Sequence, residues 1–237
     1  MALAPAAAKA RAWLTIIRLP FHPMAFVAYS MGTAAAFRQS GGFSPRVFWL
    51  GYALVFAIEL ATIFTNEYFD YETDRLNTNS SPFTGGTRVL VEGRLGFPDV
   101  RSGILALLVL VVVLAYLVSR AAVGVPPLTV FIYVAVGLFF GLGYTAPPLK
   151  FCYRGAGELV VGATHSFYVV VAGYLFQTGK WAAPFPWGLT SVRWAAPGRA
   201  ARFTGRTLLV LVWRARAAAS ATGYLALPGS LAPRVHR

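Results

Sequence analysis

The sequence predicts an all-α protein, a multi-pass bundle of transmembrane helices. Hydrophobic residues make up 57% of the 237 residues, charged residues only 12%, and the mean hydropathy is +0.60. A soluble domain typically carries about 25% charged residues. The apolar residues are also grouped in long uncharged runs, and about 20 such residues span the hydrocarbon core of a bilayer as a helix.

Five runs are clear enough to be predicted as helices, at residues 19–37, 47–65, 102–119, 126–143 and 159–179. The first follows three basic residues, as in a signal peptide. We interpret it as a retained helix, because it is long and further spans follow it. The single cysteine, Cys152, excludes an internal disulfide and a cysteine-based metal cluster.

Four carboxylates follow the second run at the predicted membrane boundary: Glu67, Asp70, Glu72 and Asp74. Asn66, Asp70 and Asp74 are spaced four apart and share one face of a continuing helix. Mg²⁺ typically takes one or two protein carboxylates and completes its shell with water and substrate phosphates. We therefore predict that Asn66, Asp70 and Asp74 hold Mg²⁺; a solvated helix end with a negative fringe is the alternative.

One further carboxylate, Glu59, lies inside the second apolar run. Carboxylates at that depth usually face a bundle interior or a wet cavity. Two histidines also fall near or within predicted helices. We interpret His22 as an interfacial residue and His165 as a hydrogen-bonded packing residue.

The longest polar stretch of the predicted bundle, residues 75–101, follows the carboxylates, and a loop of this length tends to be functional. Gly85, Gly86 and Thr87 are candidates to present backbone N–H groups to an anion, with Arg75 and Arg88 adding positive charge. A simple Gly-Gly turn is the competing interpretation.

A second informative stretch, residues 144–158, reads Y-T-A-P-P-L-K-F-C-Y-R-G-A-G-E. Its two prolines force an extended exit from the fourth helix, and its glycines permit a tight re-entry into the fifth. Lys150 and Arg154 then lie near a membrane boundary. They either bind an anion or extend their charged ends to the interface as ordinary surface residues.

The distribution of basic residues predicts the orientation. With the N-terminus in the cytoplasm, nine basic residues of the predicted bundle lie on the cytoplasmic side and four on the other, as the positive-inside rule expects. The carboxylates then share the cytoplasmic face with Lys150 and Arg154. The formal charge of +13 does not indicate nucleic-acid binding, because residues 1–158 carry a net charge of only +4.

Together the two stretches resemble the UbiA superfamily of intramembrane prenyltransferases. The motifs are N-x-x-x-D-x-x-x-D after the second helix and Y-T-A-P-P-L-K-x-x-Y-R-G-x-G-E before the fifth, and the resemblance covers roughly residues 13–178. The G-G-T-R loop and the Y-R-G-A-G-E turn are closer to the 1,4-dihydroxy-2-naphthoate branch, which serves quinone synthesis, than to the 4-hydroxybenzoate branch.

The resemblance implies a bundle of about nine helices, of which about five are clear in this sequence. It also implies that the bundle lies in a cell membrane with its active site facing the cytoplasm. It implies Mg²⁺-dependent transfer of a polyprenyl group from its diphosphate to an aromatic acceptor such as dihydroxynaphthoate. By resemblance, the catalytic residues are Asp70, Asp74 and Lys150, and the metal ligands are Asn66, Asp70 and Asp74. The diphosphate is expected to contact Asn66, Arg75, Arg88, Tyr144, Lys150 and Arg154. The family often has Asp where this chain has Glu67.

The last segment, residues 181–237, departs from that pattern. We therefore divide the chain into a helical bundle, residues 1–180, and an atypical tail, residues 181–237. It is rich in Ala, Arg, Pro and Gly, and no acidic residue follows Glu158. The family pattern would place a second Asp-x-x-x-Asp motif and further helices here. We expect a frameshifted or truncated C-terminus near residue 180, with little or no turnover; a basic tail at the membrane surface is the alternative.

Three other functions stay open at this point. A catalytically inactive fragment of such an enzyme is the strongest rival. A transporter using Glu59 and Asp70 as an ion path would leave the Lys150 and Arg154 stretch unexplained. A CDP-alcohol phosphotransferase would carry a D-G-x-x-A-R run, which this sequence lacks.

Overall fold

The computed structural model describes residues 6–78 and 86–180, together with the backbone of two short strands at residues 192–194 and 201–203. Within the first two ranges the regular structure is entirely helical, which confirms the all-α prediction. The strands, β1 (Val192–Trp194) and β2 (Ala201–Phe203), pair antiparallel with Val192 opposite Phe203. The interpretation of residues 181–237 as a frameshifted tail otherwise lies outside the described residues.

Eight α-helices follow one another in the part of the chain that the structure describes. Their bounds are α1 Ala6–Ile16, α2 His22–Ser40, α3 Pro45–Phe69, α4 Tyr71–Leu76, α5 Phe97–Ala121, α6 Pro127–Leu142, α7 Gly157–Ala163 and α8 Val169–Thr178. A π-helical turn, Thr164–Tyr168, joins α7 to α8, so that residues 157–178 form one continuous rod.

Three of these elements are long and apolar enough to cross a membrane: α3, α5 and the rod Gly157–Thr178. The apolar helix α6 is shorter, at 16 residues. All five predicted runs therefore fold as helices, whose ends lie within a few residues of the predicted ones. Helix α1 was not predicted as an element, because its Ala-rich sequence carries no strong apolar period.

Local sequence explains where the helices begin. Proline occupies one of the first two positions of α2, α3, α5 and α6, where its missing N–H would have had no helical partner. The side chain of Ser44 caps α3 by accepting a hydrogen bond from the N–H of Val47 at 3.3 Å. Gln177, near the end of α8, bonds both the N–H and the C=O of Ser44 at 3.0 Å, which ties that end of the rod to the start of α3.

The helices pack closely through small residues. Helices α2 and α8 meet at Gly32 and Gly173, where a Cβ atom on either glycine would collide with the backbone of the opposite helix. Small residues allow such approach, which drives helix association in membranes. The main core contains large buried side chains such as Leu54, Tyr133 and Phe176 from α3, α6 and α8.

A smaller core lies at the end of the bundle that carries the carboxylates. It joins Ala12 and Ile16 of α1 to Phe64 of α3 and to Val89 and Leu95 of the loop before α5. Lys9 adds an ion pair of 2.7 Å with Asp99 at the start of α5. These contacts hold α1 and the polar loop against the end of α3.

Candidate active site

The structure brings the two informative stretches into direct contact. Thr145 donates a hydrogen bond of 2.9 Å to the side-chain oxygen of Asn66, and the Tyr153 hydroxyl donates to Asp70. Tyr153 also lies 3.2 Å from the hydroxyl of Thr73. The carboxylate cluster after α3 and the segment between α6 and α7 therefore form one site at one end of the bundle, as the sequence predicted.

The backbone keeps Asn66, Asp70 and Asp74 on one face. Helix α3 ends at Phe69 and α4 starts at Tyr71, but the helical hydrogen bonds continue across the joint. The N–H of Asp70 donates to Asn66 O, and the N–H of Asp74 donates to Asp70 O, both at 2.8 Å. Glu72 points away from this face, since it is exposed and pairs with Arg75 at 2.9 Å.

Glu67 is a buried anchor for the polar loop. Its carboxylate accepts hydrogen bonds from the N–H and hydroxyl of Thr87, at 2.9 and 2.6 Å, and from the N–H of Val89 at 3.2 Å. The longer side chain of glutamate, compared with the aspartate common in the family, reaches these donors. The N–H of Thr87, predicted as a candidate for anion binding, is occupied by this carboxylate.

The loop also packs against Asp74. Gly86 has a φ of +68° and lies so close to Asp74 that a Cβ atom would collide with the carboxylate. Arg88 donates from Nη1 to the backbone oxygens of Asp74 and Asn77, at 2.7 and 2.9 Å. The guanidinium of Arg88 thus holds the turn that follows Asp74. Gly85 lies outside the described residues.

The two aspartates carry negative charge that the surrounding protein compensates poorly. Burial, together with the carboxylates of Glu67 and Asp70, raises the pKa of Asp74 to about 6. Burial also raises the pKa of Asp70, although the hydrogen bond from Tyr153 favours the charged form. An added cation would relieve this repulsion.

The predicted cationic residues differ in position. Lys150 has a left-handed backbone, with a φ of +46°, and is close enough to Asp70 to favour its charged form. Its Nζ lies 5.7 Å from the centre of the Tyr153 ring. Arg154 is exposed and donates to the backbone oxygen of Pro148 at 2.8 Å, while Arg75 pairs with Glu72.

Arg18 is a site residue that the sequence analysis did not single out. It precedes α2 with a φ of +55°, and its guanidinium lies 4.6 Å from the centre of the Phe21 ring. Its charge acts on Glu67 and Asp74, and burial lowers the pKa of the guanidinium. A basic residue at a membrane boundary gives no sequence signal that separates this role from ordinary interfacial placement.

A cavity of about 210 Å³ opens between α2, α3, α6 and the rod that begins with α7. Arg18, Asn66 and Tyr144 line its wall at the end of the bundle that holds the carboxylates. Most of the lining is apolar, including Val55, Ile58, Phe140 and Val160. A charged group held at Asn66 can therefore continue into an apolar chain or ring within the bundle.

Deeper in the same cavity, a buried cluster surrounds Glu59. His22 Nδ1 lies 2.9 Å from Glu59 Oε2, and His165 Nε2 lies 3.7 Å from Glu59 Oε1. His22 is 5% exposed, so its interpretation as an interfacial residue was wrong. His165 is hydrogen-bonded, as predicted, but it also lines the cavity beside Glu59.

The donor set at Asn66, Asp70 and Asp74 fits Mg²⁺ bound together with a phosphate. Among the residues that the structure describes, no group of three His, Cys, Asp or Glu side chains could hold a metal unaided. Mg²⁺ needs only one or two carboxylates when a phosphate supplies the other oxygens. Asp70 and Asp74 provide two carboxylates, and Asn66 adds an amide oxygen.

The comparisons with known proteins agree with this geometry. Residues 25–228 match the model of the UbiA prenyltransferase family. The chain is 28% identical over 191 residues to a 2-carboxy-1,4-naphthoquinone phytyltransferase of Synechocystis sp.. That match covers 79% of this chain and 57% of the relative, so the chain spans little more than half of the relative's length.

No solved structure matches the chain. The family match runs from within α2 through α8, and therefore covers both stretches that form the site and most residues that line the cavity. The chain belongs to the UbiA prenyltransferase family.

Proposed function

We propose that this protein transfers a prenyl group from its diphosphate to a hydroxylated aromatic ring in quinone synthesis, in a reaction that requires Mg²⁺. The observation that carries the proposal is the continuity of the site. Asn66 shares one face with Asp70 and Asp74, and it also lines the apolar cavity between α2, α3, α6 and α7. The family and the phytyltransferase relative support the same reaction.

The polar end suits a diphosphate. Bound Mg²⁺ would neutralise the charge that develops on the leaving diphosphate. Asn66, Asp70 and Asp74 would hold the ion. Arg18 and Tyr144 line the same end of the cavity, and Lys150 lies near Asp70. Arg75, Arg88 and Arg154 remain predicted diphosphate contacts, each of which already bonds a neighbouring group.

The apolar part suits the prenyl chain and the reactive cation. Allylic diphosphates ionise to a carbocation that water would capture, so the reacting carbon has to be kept dry. Side chains such as Ile58, Phe140 and Val160 line the cavity beyond the polar end. Phe140 and Tyr168 also line the cavity, and aromatic rings can stabilise nearby positive charge.

Transfer is tested directly with the purified 237-residue chain in lipid. We expect Mg²⁺-dependent transfer to dihydroxynaphthoate to exceed transfer to hydroxybenzoate. We also expect turnover to be low, because the sequence after Glu158 supplies no carboxylates for a second metal cluster. Robust turnover would show that the first cluster suffices, and absence of both diphosphate binding and transfer would contradict the proposed function.

We further propose that the site faces the cytoplasm of a bacterial cell, on the support of the nine basic residues against four. In a Cys152→Ser background, a cysteine at Asn79 should be shielded from impermeant reagents in intact cells. A cysteine at Gly42, at the opposite end of α2 from Arg18, should be labelled. The reverse pattern would contradict this orientation.

A further inference from the structure

We propose that Glu59, His22 and His165 form the acceptor end of the cavity, where His165 Nε2 takes the hydroxyl proton of the aromatic acceptor. This inference rests on the proposed function and adds to it the identity of the base. The three side chains come from α2, α3 and the π-helical turn, and Glu59 and His165 both line the cavity.

The hydrogen bonds determine which nitrogens of His22 carry hydrogen. His22 Nε2 lies 2.7 Å from the backbone oxygen of Ile17, which can only accept, so Nε2 is protonated. Nδ1 lies 2.9 Å from Glu59 Oε2, which is a hydrogen-bonding distance. One further proton must therefore lie between them, either on Nδ1 or on the carboxyl group. The pair is electroneutral wherever that proton resides, which explains how a carboxylate is tolerated inside an apolar helix.

His165 has two contacts at Nδ1, which lies 3.3 Å from the backbone oxygen of Val161 and 3.3 Å from the Thr164 hydroxyl. In the tautomer that we propose, Nδ1 donates to the Val161 oxygen and Nε2 of the neutral ring keeps its lone pair. Nε2 is 3.7 Å from Glu59 Oε1, which is beyond hydrogen-bonding distance but close enough for strong attraction once Nε2 is protonated. The ring thus offers a basic nitrogen to the cavity, next to a group that stabilises its protonated form.

The helix geometry places this nitrogen. His165 belongs to the π-helical turn Thr164–Tyr168, and π-helical turns occur frequently at functional sites. Tyr133 and Tyr168 secure the turn, because their rings stack 4.0 Å apart and each hydroxyl donates to the backbone oxygen of the other residue. Gly137 leaves room for the Tyr168 hydroxyl.

The location fits the order of substrates along the cavity. Glu59 precedes Asn66 by seven residues on α3, which is about 10 Å along a helix. A diphosphate at Asn66 therefore leaves space for a prenyl carbon and an aromatic ring before the hydroxyl reaches His165. The ring would lie among the apolar residues between the two polar ends.

In the proposed step, the hydroxyl proton of the acceptor moves to His165 Nε2. The acceptor O–H bond breaks and an Nε2–H bond forms, leaving an electron-rich aryloxide. A ring carbon then bonds to C1 of the prenyl group, and the C1–O bond breaks with its electron pair leaving on the diphosphate. The alkylated ring carbon loses its proton to an oxygen of the released diphosphate, and the aryloxide recovers the first proton from Nε2. Glu59 and His22 act as positioning residues throughout.

A photoacid tests the base without requiring turnover. Excited 1-naphthol gives up its proton to a nearby base and then emits at longer wavelength as naphtholate. We expect the full chain in detergent to show naphtholate emission from bound 1-naphthol, above the signal of protein-free micelles. His165→Phe and His165→Gln should both lose it, because neither side chain is basic. Ser166→Ala, on the same turn, should retain it.

Binding separates proton transfer from simple hydrogen bonding. Wild type should prefer 1-naphthol over 1-methoxynaphthalene by roughly 3- to 10-fold, the value of one hydrogen bond. His165→Phe should lose this preference, whereas His165→Gln should keep it through its amide oxygen. Glu59→Gln should weaken the naphtholate emission and leave the preference in place.

Each failure has a distinct meaning. Naphtholate emission that survives in His165→Phe and disappears in Glu59→Gln would make the carboxylate the base and overturn the assignment to His165. Absence of the naphthol preference in wild type would overturn the acceptor site itself. Loss of Mg²⁺-dependent diphosphate binding, with the naphthol results intact, would instead contradict the proposed function.

Discussion

Two kinds of carboxylate stand within 16 residues of each other on α3 and α4. Glu59 and Glu67 have their partners inside the protein, the first in His22 and the second in Thr87 and Val89. Asp70 and Asp74 face one another's charge, and burial raises the pKa of both. The difference separates acidic residues that hold the fold together from those that we propose bind a cation.

The largest expected effect comes from removing a carboxylate of the second kind. Asp70→Ala should abolish Mg²⁺-dependent binding of a prenyl diphosphate analogue, because the ion would lose one of its few protein carboxylates. Glu72→Ala is the matched control, because Glu72 is also a carboxylate but points to solvent and pairs with Arg75. It should change the affinity by less than about 2-fold. Equal losses would indicate a general charge effect.

Removing a carboxylate of the first kind should instead destabilise the protein. Glu67→Ala leaves the partly buried N–H of Thr87 and the buried N–H of Val89 without their acceptor, and each such loss costs about 1–3 kcal/mol. The measurement is the free energy of unfolding in detergent, together with proteolysis of the loop before α5. A variant that keeps its stability and loses only Mg²⁺ binding would place Glu67 with the metal ligands.

Gly86 tests how closely the loop covers Asp74. Gly86→Ala places a Cβ atom against the Asp74 carboxylate at a positive φ, and we expect it to weaken binding of the diphosphate analogue. Gly93→Ala is the control, because Gly93 has nearly the same φ, +65°, with open space around its Cβ position. Backbone strain should lower the free energy of unfolding of both variants by about 1–3 kcal/mol. Equal affinities in the two variants would contradict the contact.

The smallest effect is expected from Tyr153→Phe. This change removes the hydroxyl that bonds Asp70 and leaves the ring in place. A bond to a charged group contributes about 1.5–3 kcal/mol, and Asp70 is partly solvated, so we expect analogue binding to weaken by about 3- to 10-fold. Tyr116→Phe, on the exposed face of α5, should leave affinity unchanged. An unaltered affinity in Tyr153→Phe would exclude Tyr153 from the site.

The helices and the proximity of the two polar stretches could be predicted from the sequence. Long uncharged runs and four-residue spacing are local patterns, which can be read directly from the sequence. The spacing correctly predicted that Asn66, Asp70 and Asp74 share one face. Tyr153 lay within the second motif, but its hydroxyl gained a role only through contact with Asp70. That contact joins residues 83 positions apart, which no local pattern reports.

The cluster around Glu59 was beyond sequence reasoning for a similar reason. A lone histidine in an apolar helix carries no sign of its neighbours, and His165 meets Glu59 only because the π-helical turn lies opposite the middle of α3. His22 is separated from Glu59 by 37 residues and most of two helices. Glu59 alone gave a signal, because an acidic residue in an apolar run needs a partner.

The most direct test of the account is the dependence of diphosphate binding on a divalent cation. A prenyl thiodiphosphate, whose C–S bond resists ionisation, would be titrated into the purified wild-type chain with Mg²⁺ and again with a chelator. We predict tight binding with Mg²⁺ and a loss of at least 100-fold without it, because Asp70 and Asp74 otherwise repel the anion. Equal affinity under both conditions would contradict the assignment of these aspartates to a cation.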